Sequence, residues 1–207
     1  MVLENFKAKQ LSNPRGIWSG YVAGQMNRLN VDINQTTVQL LEIAPSDKVL
    51  EIGFGGGDAL HIMNESAPAE LLVGIDKSDA MLRRGTKRFK DIISRGKMEL
   101  KKCCSDKIAY QDAFFDKICA VNCIYFWPEP AADLQEIRRV MKQNGKLIIS
   151  VYTQETMQKH SLTKYGFHLY NDSQLSSLLN DIGFKDVRLE HRTFTPREAI
   201  FAIGIKQ

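Results

Sequence analysis

The sequence predicts a doubly wound α/β fold: a seven-stranded, mostly parallel, Rossmann-like sheet whose last strand runs antiparallel. Two observations predict it. From about residue 48 onward, short and continuously apolar runs alternate with amphipathic helical segments. Strands of that kind, buried on both faces between helices, make a parallel sheet. Near the end the alternation stops, because 187–191 and 199–205 read as consecutive strands joined at Thr195-Pro196 with no helix between them. Two strands joined that way form a hairpin, so the last one opposes its neighbour.

Strands are expected near 48–52, 71–75, 98–103, 116–121 and 146–151, and helices near 58–66, 79–93, 131–142 and 175–182. An earlier helix over 36–43 has apolar spacing at Val38 and Leu41 and a stop at Pro45. The helix that reaches Met141 has its stop signal in Asn144-Gly145. Residues 1 to about 30 are polar and glycine-bearing, and read as an arm closing in a helix over 22–29. The expected division is therefore an N-terminal arm or lid over 1–45 and a main domain over 46–207, with a short lid at 153–170.

Composition bounds the partners. At 207 residues, 43% hydrophobic and 25% charged, the chain is an ordinary soluble globular protein. The net charge of +4 is spread among interleaved acids, which argues against nucleic acid as the main partner. The cysteines at 103, 104, 119 and 123 do not match a zinc spacing, and they read mostly as buried thiols, so no metal is expected. The start lacks the basic-then-apolar build of a signal peptide, and the longest apolar run is far too short to span a bilayer. A cytoplasmic protein without membrane insertion is expected, its oligomeric state open.

The most informative segment is Val49-Leu50-Glu51-Ile52-Gly53-Phe54-Gly55-Gly56-Gly57-Asp58. It reads as a buried strand emptying into a glycine loop and then a helix, whose N-terminal amides face the same place. Asp76 ends the next strand, 76 − 53 = 23 residues after the first glycine, where a carboxylate can accept both hydroxyls of a ribose. A dinucleotide fingerprint needs Gly-x-Gly-x-x-Gly, but here Asp58 stands at the last glycine position. An acid there repels a pyrophosphate. S-adenosylmethionine carries no phosphate, and its ammonium welcomes the carboxylates of Glu51 and Asp58.

The segment resembles motif I of the class I S-adenosylmethionine-dependent methyltransferases, in particular the ubiquinone/menaquinone-biosynthesis-like branch that methylates small molecules. Val73-Gly74-Ile75-Asp76-Lys77-Ser78-Asp79-Ala80-Met81-Leu82 is similar to the second motif of that family. Phe115-Asp116-Lys117-Ile118 with Val121-Asn122 resembles its fourth strand, and Ile137 to Leu147 its following helix, turn and strand. The likeness runs from about residue 45 to the end.

The resemblance implies S-adenosylmethionine as cofactor, held by Glu51, Gly53, Gly55 and Gly57 at its methionine end and by Asp76 at its ribose. Lys77 and Met81 border the adenine, unless Met81 is a core residue of its helix. The family's acid for the adenine amino group falls at Cys104-Ser105-Asp106, so either Asp106 or the Ser105 backbone makes that contact. Asn122 ends the fourth strand, where ligands of an open parallel sheet sit. Asn122-Cys123-Ile124-Tyr125 has the outline of the Asn-Pro-Pro-Tyr motif of nucleic-acid amino methylation, but lacks both prolines. The other reading is a strand end against the cofactor, with Tyr125, Phe126 and Trp127 walling a substrate pocket that Trp18, Tyr21 and Tyr165 also line. His160 and His168, in the 153–170 segment, are the candidate bases. The implied activity is methyl transfer to a small molecule, at O or C ahead of N. The rivals are an NAD-dependent oxidoreductase and a non-catalytic S-adenosylmethionine-binding regulator.

Overall fold

The computed structural model describes residues 29–207 together with Glu4, Ala8, Leu11 and Gly24. The seven strands are β1 (Lys48–Ile52), β2 (Leu71–Asp76), β3 (Met98–Lys102), β4 (Phe115–Val121), β5 (Met141–Tyr152), β6 (Phe184–Phe194) and β7 (Arg197–Lys206). They form one sheet in the order β3-β2-β1-β4-β5-β7-β6. β1 pairs in parallel with β2 and β4, β2 with β3, and β4 with β5. β7 slots between β5 and β6 and runs antiparallel to both. The strand order reverses between β1 and β4, and the crevice outside their carboxyl ends is where an open α/β sheet binds its ligand.

The helices are α1 (Val31–Leu41), α2 (Asp58–Ser66), α3 (Asp79–Arg88), α4 (Lys90–Ser94), α5 (Pro130–Val140), α6 (Gln154–Gln158) and α7 (Asp172–Ile182). They cover both faces. The period of two along β1 sends Val49 into a core with Ile33, Leu60 and Met63, and Leu50 into an opposite core with Ile137, Leu175 and Leu179. Each of these side chains is fully buried, worth about 1.5–3 kcal/mol apiece relative to exposure. No helix among the described residues is long and apolar enough to cross a membrane.

Several boundaries differ from the sequence expectations, each for a local reason. α1 begins at Val31 and ends at Leu41, because Glu42 turns left-handed (φ 52°) and donates its N–H to the Gln39 carbonyl before Pro45 is reached. Although the sequence groups it with the arm, α1 packs into the sheet: Ile33 and Leu41 are fully buried, and the Thr37 and Ser150 hydroxyls meet at 2.7 Å. The helix expected over 79–93 breaks at Phe89, whose buried ring turns inward against Gly57. Asn144-Gly145 is not a helix stop. α5 has already ended at Val140, and the pair forms a bulge in β5 where its pairing with β4 slips. α7 starts earlier than expected because Asn171 and Gln174 form a reciprocal capping box. Of the four thiols only Cys119 is fully buried; Cys103 and Cys123 are half-buried and Cys104 is exposed. The helix expected over 22–29 lies outside the described residues apart from Gly24 and Leu29.

Candidate active site

The glycine loop is built by three left-handed backbones, at Gly53 (φ 70°), Gly55 (φ 50°) and Gly57 (φ 79°). At two of them space also demands glycine. A Cβ at Gly53 would lie 2.9 Å from the Cys123 Cβ, and one at Gly57 would lie 2.6 Å from the Phe89 ring. Phe54, between the first two glycines, is buried against Gly74 and Gly85 and anchors the loop in the core. The Gly53 N–H reaches the Ile75 carbonyl at 2.7 Å, and the Gly55 N–H reaches Asp76 Oδ2 at 2.9 Å. Asp76 Oδ1 accepts the Ser78 N–H at 2.8 Å. Burial raises the Asp76 pKa, while these two amides work against that shift.

A cavity of about 210 Å³ opens above this loop, at the switch point between β1 and β4. Gly53, Gly55, Asp76, Lys77, Met81, Ser105, Asp106, Asn122 and Trp127 all line it. Eight of the ten residues expected at the cofactor thus meet at one cavity. Among the described lining residues Lys77 is the one lysine or arginine, against three carboxylates at Asp76, Asp106 and Asp133. Such a surplus of acid suits a cationic ligand and disfavours a pyrophosphate. A cofactor with a sulfonium and an ammonium fits this acid-rich lining.

Other predicted residues stand elsewhere. Glu51 is 4% exposed and lies behind the cavity wall, where its Oε2 accepts the Leu60 N–H at 3.1 Å. Burial pushes its pKa up to about 8. Gly57 is the N-cap of α2 rather than a lining residue. Asp58 does not present a free carboxylate to a ligand, since Arg88 pairs with it at 2.5 Å and also binds the Gly56 carbonyl at 2.7 Å. Tyr125 is a core strut, not a pocket wall: its hydroxyl accepts the Tyr152 N–H at 2.7 Å and donates to the Tyr152 carbonyl at 3.1 Å. Tyr165 sits on the turn after α6, with its hydroxyl 3.4 Å from Glu4, away from the cavity. His160 and His168 are exposed and do not line the cavity, so the structure does not support either as a base there. Trp18 and Tyr21 lie outside the described residues.

Phe126 lines the cavity as expected, whereas sequence reasoning missed Asp133, Pro128, Leu11 and three of the thiols, Cys103, Cys104 and Cys123, all of which line it. For Asp133 a signal existed: it shares the buried stripe of α5 with Ile137 and Val140, where an acid is out of place. Nothing in the sequence marked Leu11, which only the fold carries to the cavity. Asn122 has a second role: from a left-handed backbone (φ 52°) its Nδ2 donates to Asn30 Oδ1 at 3.1 Å, tying the base of the N-terminal segment to the cavity wall. Among the described residues no group of three His, Cys, Asp or Glu side chains is placed to hold a metal ion.

A seven-stranded sheet with an inserted antiparallel strand, a glycine loop and an acid-rich cavity at the switch point defines a class of nucleoside-cofactor enzymes. Comparison with known proteins specifies it. Residues 50–149 match the methyltransferase domain family model. The uncharacterized methyltransferase YdaC of Bacillus subtilis is 27% identical over 189 residues, covering 91% of this chain and 97% of that protein. The ubiquinone/menaquinone biosynthesis C-methyltransferase of Citrifermentans bemidjiense is 27% identical over 196 residues, covering 82% and 83% respectively. Among solved structures, the partner of the Haloferax volcanii Trm112 methyltransferase activator superposes with a TM-score of 0.77 at 15% identity, over 91% of this chain and 95% of that one; this likeness concerns the fold. The chain carries a methyltransferase domain over residues 50–149, and its relatives mark it as an S-adenosylmethionine-dependent methyltransferase similar to the ubiquinone/menaquinone-biosynthesis enzymes.

Proposed function

We propose that the chain methylates a small, largely apolar acceptor, at oxygen or carbon ahead of nitrogen, held in the cavity at the ends of β1 and β4. Gly53, Gly55 and Asp76 bind the cofactor, Lys77 and Met81 border its base, and Asn122 with Phe126, Trp127 and Pro128 forms the wall toward the acceptor. The observation that carries this reading is the cavity itself: one small space lined both by the carboxylates of Asp76, Asp106 and Asp133 and by the rings of Phe126 and Trp127. When bound, S-adenosylmethionine supplies an activated methyl group as a sulfonium. The protein then has to orient the acceptor, exclude water and accept a proton where the acceptor loses one. Aromatic faces favour the sulfonium charge. The relatives named for ubiquinone and menaquinone biosynthesis support a flat apolar acceptor methylated at carbon. Four free thiols support a reducing, cytoplasmic setting.

The test is incubation of the purified protein with methyl-labelled S-adenosylmethionine and extracts fractionated by polarity. Label in an apolar small-molecule fraction, lost in Asp76→Asn, is the expected result. Label only in protein or nucleic acid contradicts the proposal.

A further inference from the structure

The cavity contains a buried acid that cofactor and acceptor binding, as assigned so far, leave unused. Asp133 is 3% exposed, yet it lines the cavity, and its carboxylate accepts the Ser105 hydroxyl. Burying a carboxylate is costly unless donors meet it. The preference of a helix start for acids is met equally well on an exposed face and does not explain this position. A carboxylate has about four acceptor positions, and the Ser105 hydroxyl and the Asp133 backbone N–H use two, so the group keeps acceptor capacity at the cavity wall.

The sheet order tells which part of a bound cofactor arrives there. The glycine loop follows β1, Asp76 ends β2, and Cys104-Ser105-Asp106 follows β3, each one strand further out. A ligand with its aminoacyl end at the loop and its ribose at Asp76 extends its base toward the β3 end. Fully buried Met81 lines the cavity there, together with Ser105 and Asp133. The exocyclic amino group of adenine is a hydrogen-bond donor that needs an acceptor at this place.

We propose that Asp133, oriented by Ser105, accepts the adenine amino group and makes the site selective for adenine over purines that lack it. The assignment rests on the S-adenosylmethionine reading above. It moves this role from the loop after β3 to α5. Asp106 is exposed, and a hydrated carboxylate gains little by exchanging water for an amino group. A buried acceptor discriminates because the wrong base leaves it unpaired.

The test compares calorimetric binding of S-adenosylhomocysteine and of its analogue whose purine lacks the amino group, with thermal melts to confirm folding. Wild type is expected to bind the analogue about 10- to 100-fold more weakly. Asp133→Ala, which removes the acceptor, should bring the two ligands within about 3-fold of each other, whereas Asp106→Ala should keep the full gap. A full gap in folded Asp133→Ala overturns the assignment, and so does a gap that vanishes in Asp106→Ala. Should Asp133→Ala not fold, Ser105→Ala decides in its place: a narrowed gap supports the proposal and an unchanged one overturns it. Failure of wild type to bind S-adenosylhomocysteine at all is a separate result, one that removes the cofactor reading itself.

Discussion

Asp76 and Gly55 are joined across 21 residues of sequence, with the carboxylate Oδ2 accepting the Gly55 N–H at 2.9 Å. The group that lines the cavity thus also holds the loop that shapes it. Asp76→Asn removes the charge and turns one of the two accepting oxygens into a donor, so one backbone amide loses its partner, and S-adenosylmethionine binding should weaken about 10- to 100-fold. Asp76→Ala should in addition destabilise the fold by about 1–3 kcal/mol, because the Gly55 and Ser78 amides lose their acceptor. Calorimetry and thermal melts separate the two effects. Unchanged affinity in Asp76→Asn would remove Asp76 from the binding site.

Gly53→Ala and Gly57→Ala each combine a left-handed backbone with a Cβ contact under 3.0 Å. Both should destabilise by about 1–3 kcal/mol. Gly53→Ala, pressing on Cys123 at the cavity wall, should also lose cofactor affinity, whereas Gly57→Ala presses on Phe89 beneath α2. Denaturant titration with and without S-adenosylhomocysteine checks both. A Gly53→Ala protein of wild-type stability contradicts the loop geometry.

Glu51 makes stability depend on pH. Its folded pKa of about 8 lies above the ordinary value of 4.5, so the folded state keeps a proton that the unfolded state has released. The stabilisation is fully present below about 4.5 and is lost as pH rises through about 8. Melting temperature should therefore fall across that window in wild type and fall less in Glu51→Gln. Parallel profiles for the two proteins would contradict the buried, protonated carboxylate.

His191 bridges two elements, with Nε2 2.8 Å from Asp172 at the start of α7 and Nδ1 3.3 Å from Glu198 on β7. The Asp172 hydrogen bond leads in raising its pKa above 6.5, so this contribution is present below that value and disappears as pH rises through the folded pKa. At 40% side-chain exposure the effect stays under about 1 kcal/mol. A nuclear magnetic resonance titration should show the His191 midpoint dropping in Asp172→Asn. An unmoved midpoint would falsify the pairing.

The fold was legible because its signals are local and repeated. Apolar runs such as Leu71 to Ile75 and the hairpin around Thr195-Pro196 need no knowledge of distant partners, and the strands fall where those runs lie. The glycine loop and Asp76 were legible for the same reason: backbone turns and strand ends are written in consecutive residues. What stayed hidden depends on contacts across the chain. Tyr125 looks like a wall residue beside Phe126 and Trp127, but pairing of its hydroxyl with the Tyr152 backbone turns it into the core. Asp58 looks available until Arg88, 30 residues on, reaches it. Asp133 faces the cavity only because α5 brings it against Ser105.

The most direct measurement is a calorimetric titration of the purified protein with S-adenosylmethionine, with NAD and NADP run in parallel. The account predicts that S-adenosylmethionine binds one per chain, that binding weakens in Asp76→Asn, and that neither dinucleotide gives heat. Binding of a nicotinamide dinucleotide with none of S-adenosylmethionine would contradict it, since the acid-lined cavity would then be holding a pyrophosphate.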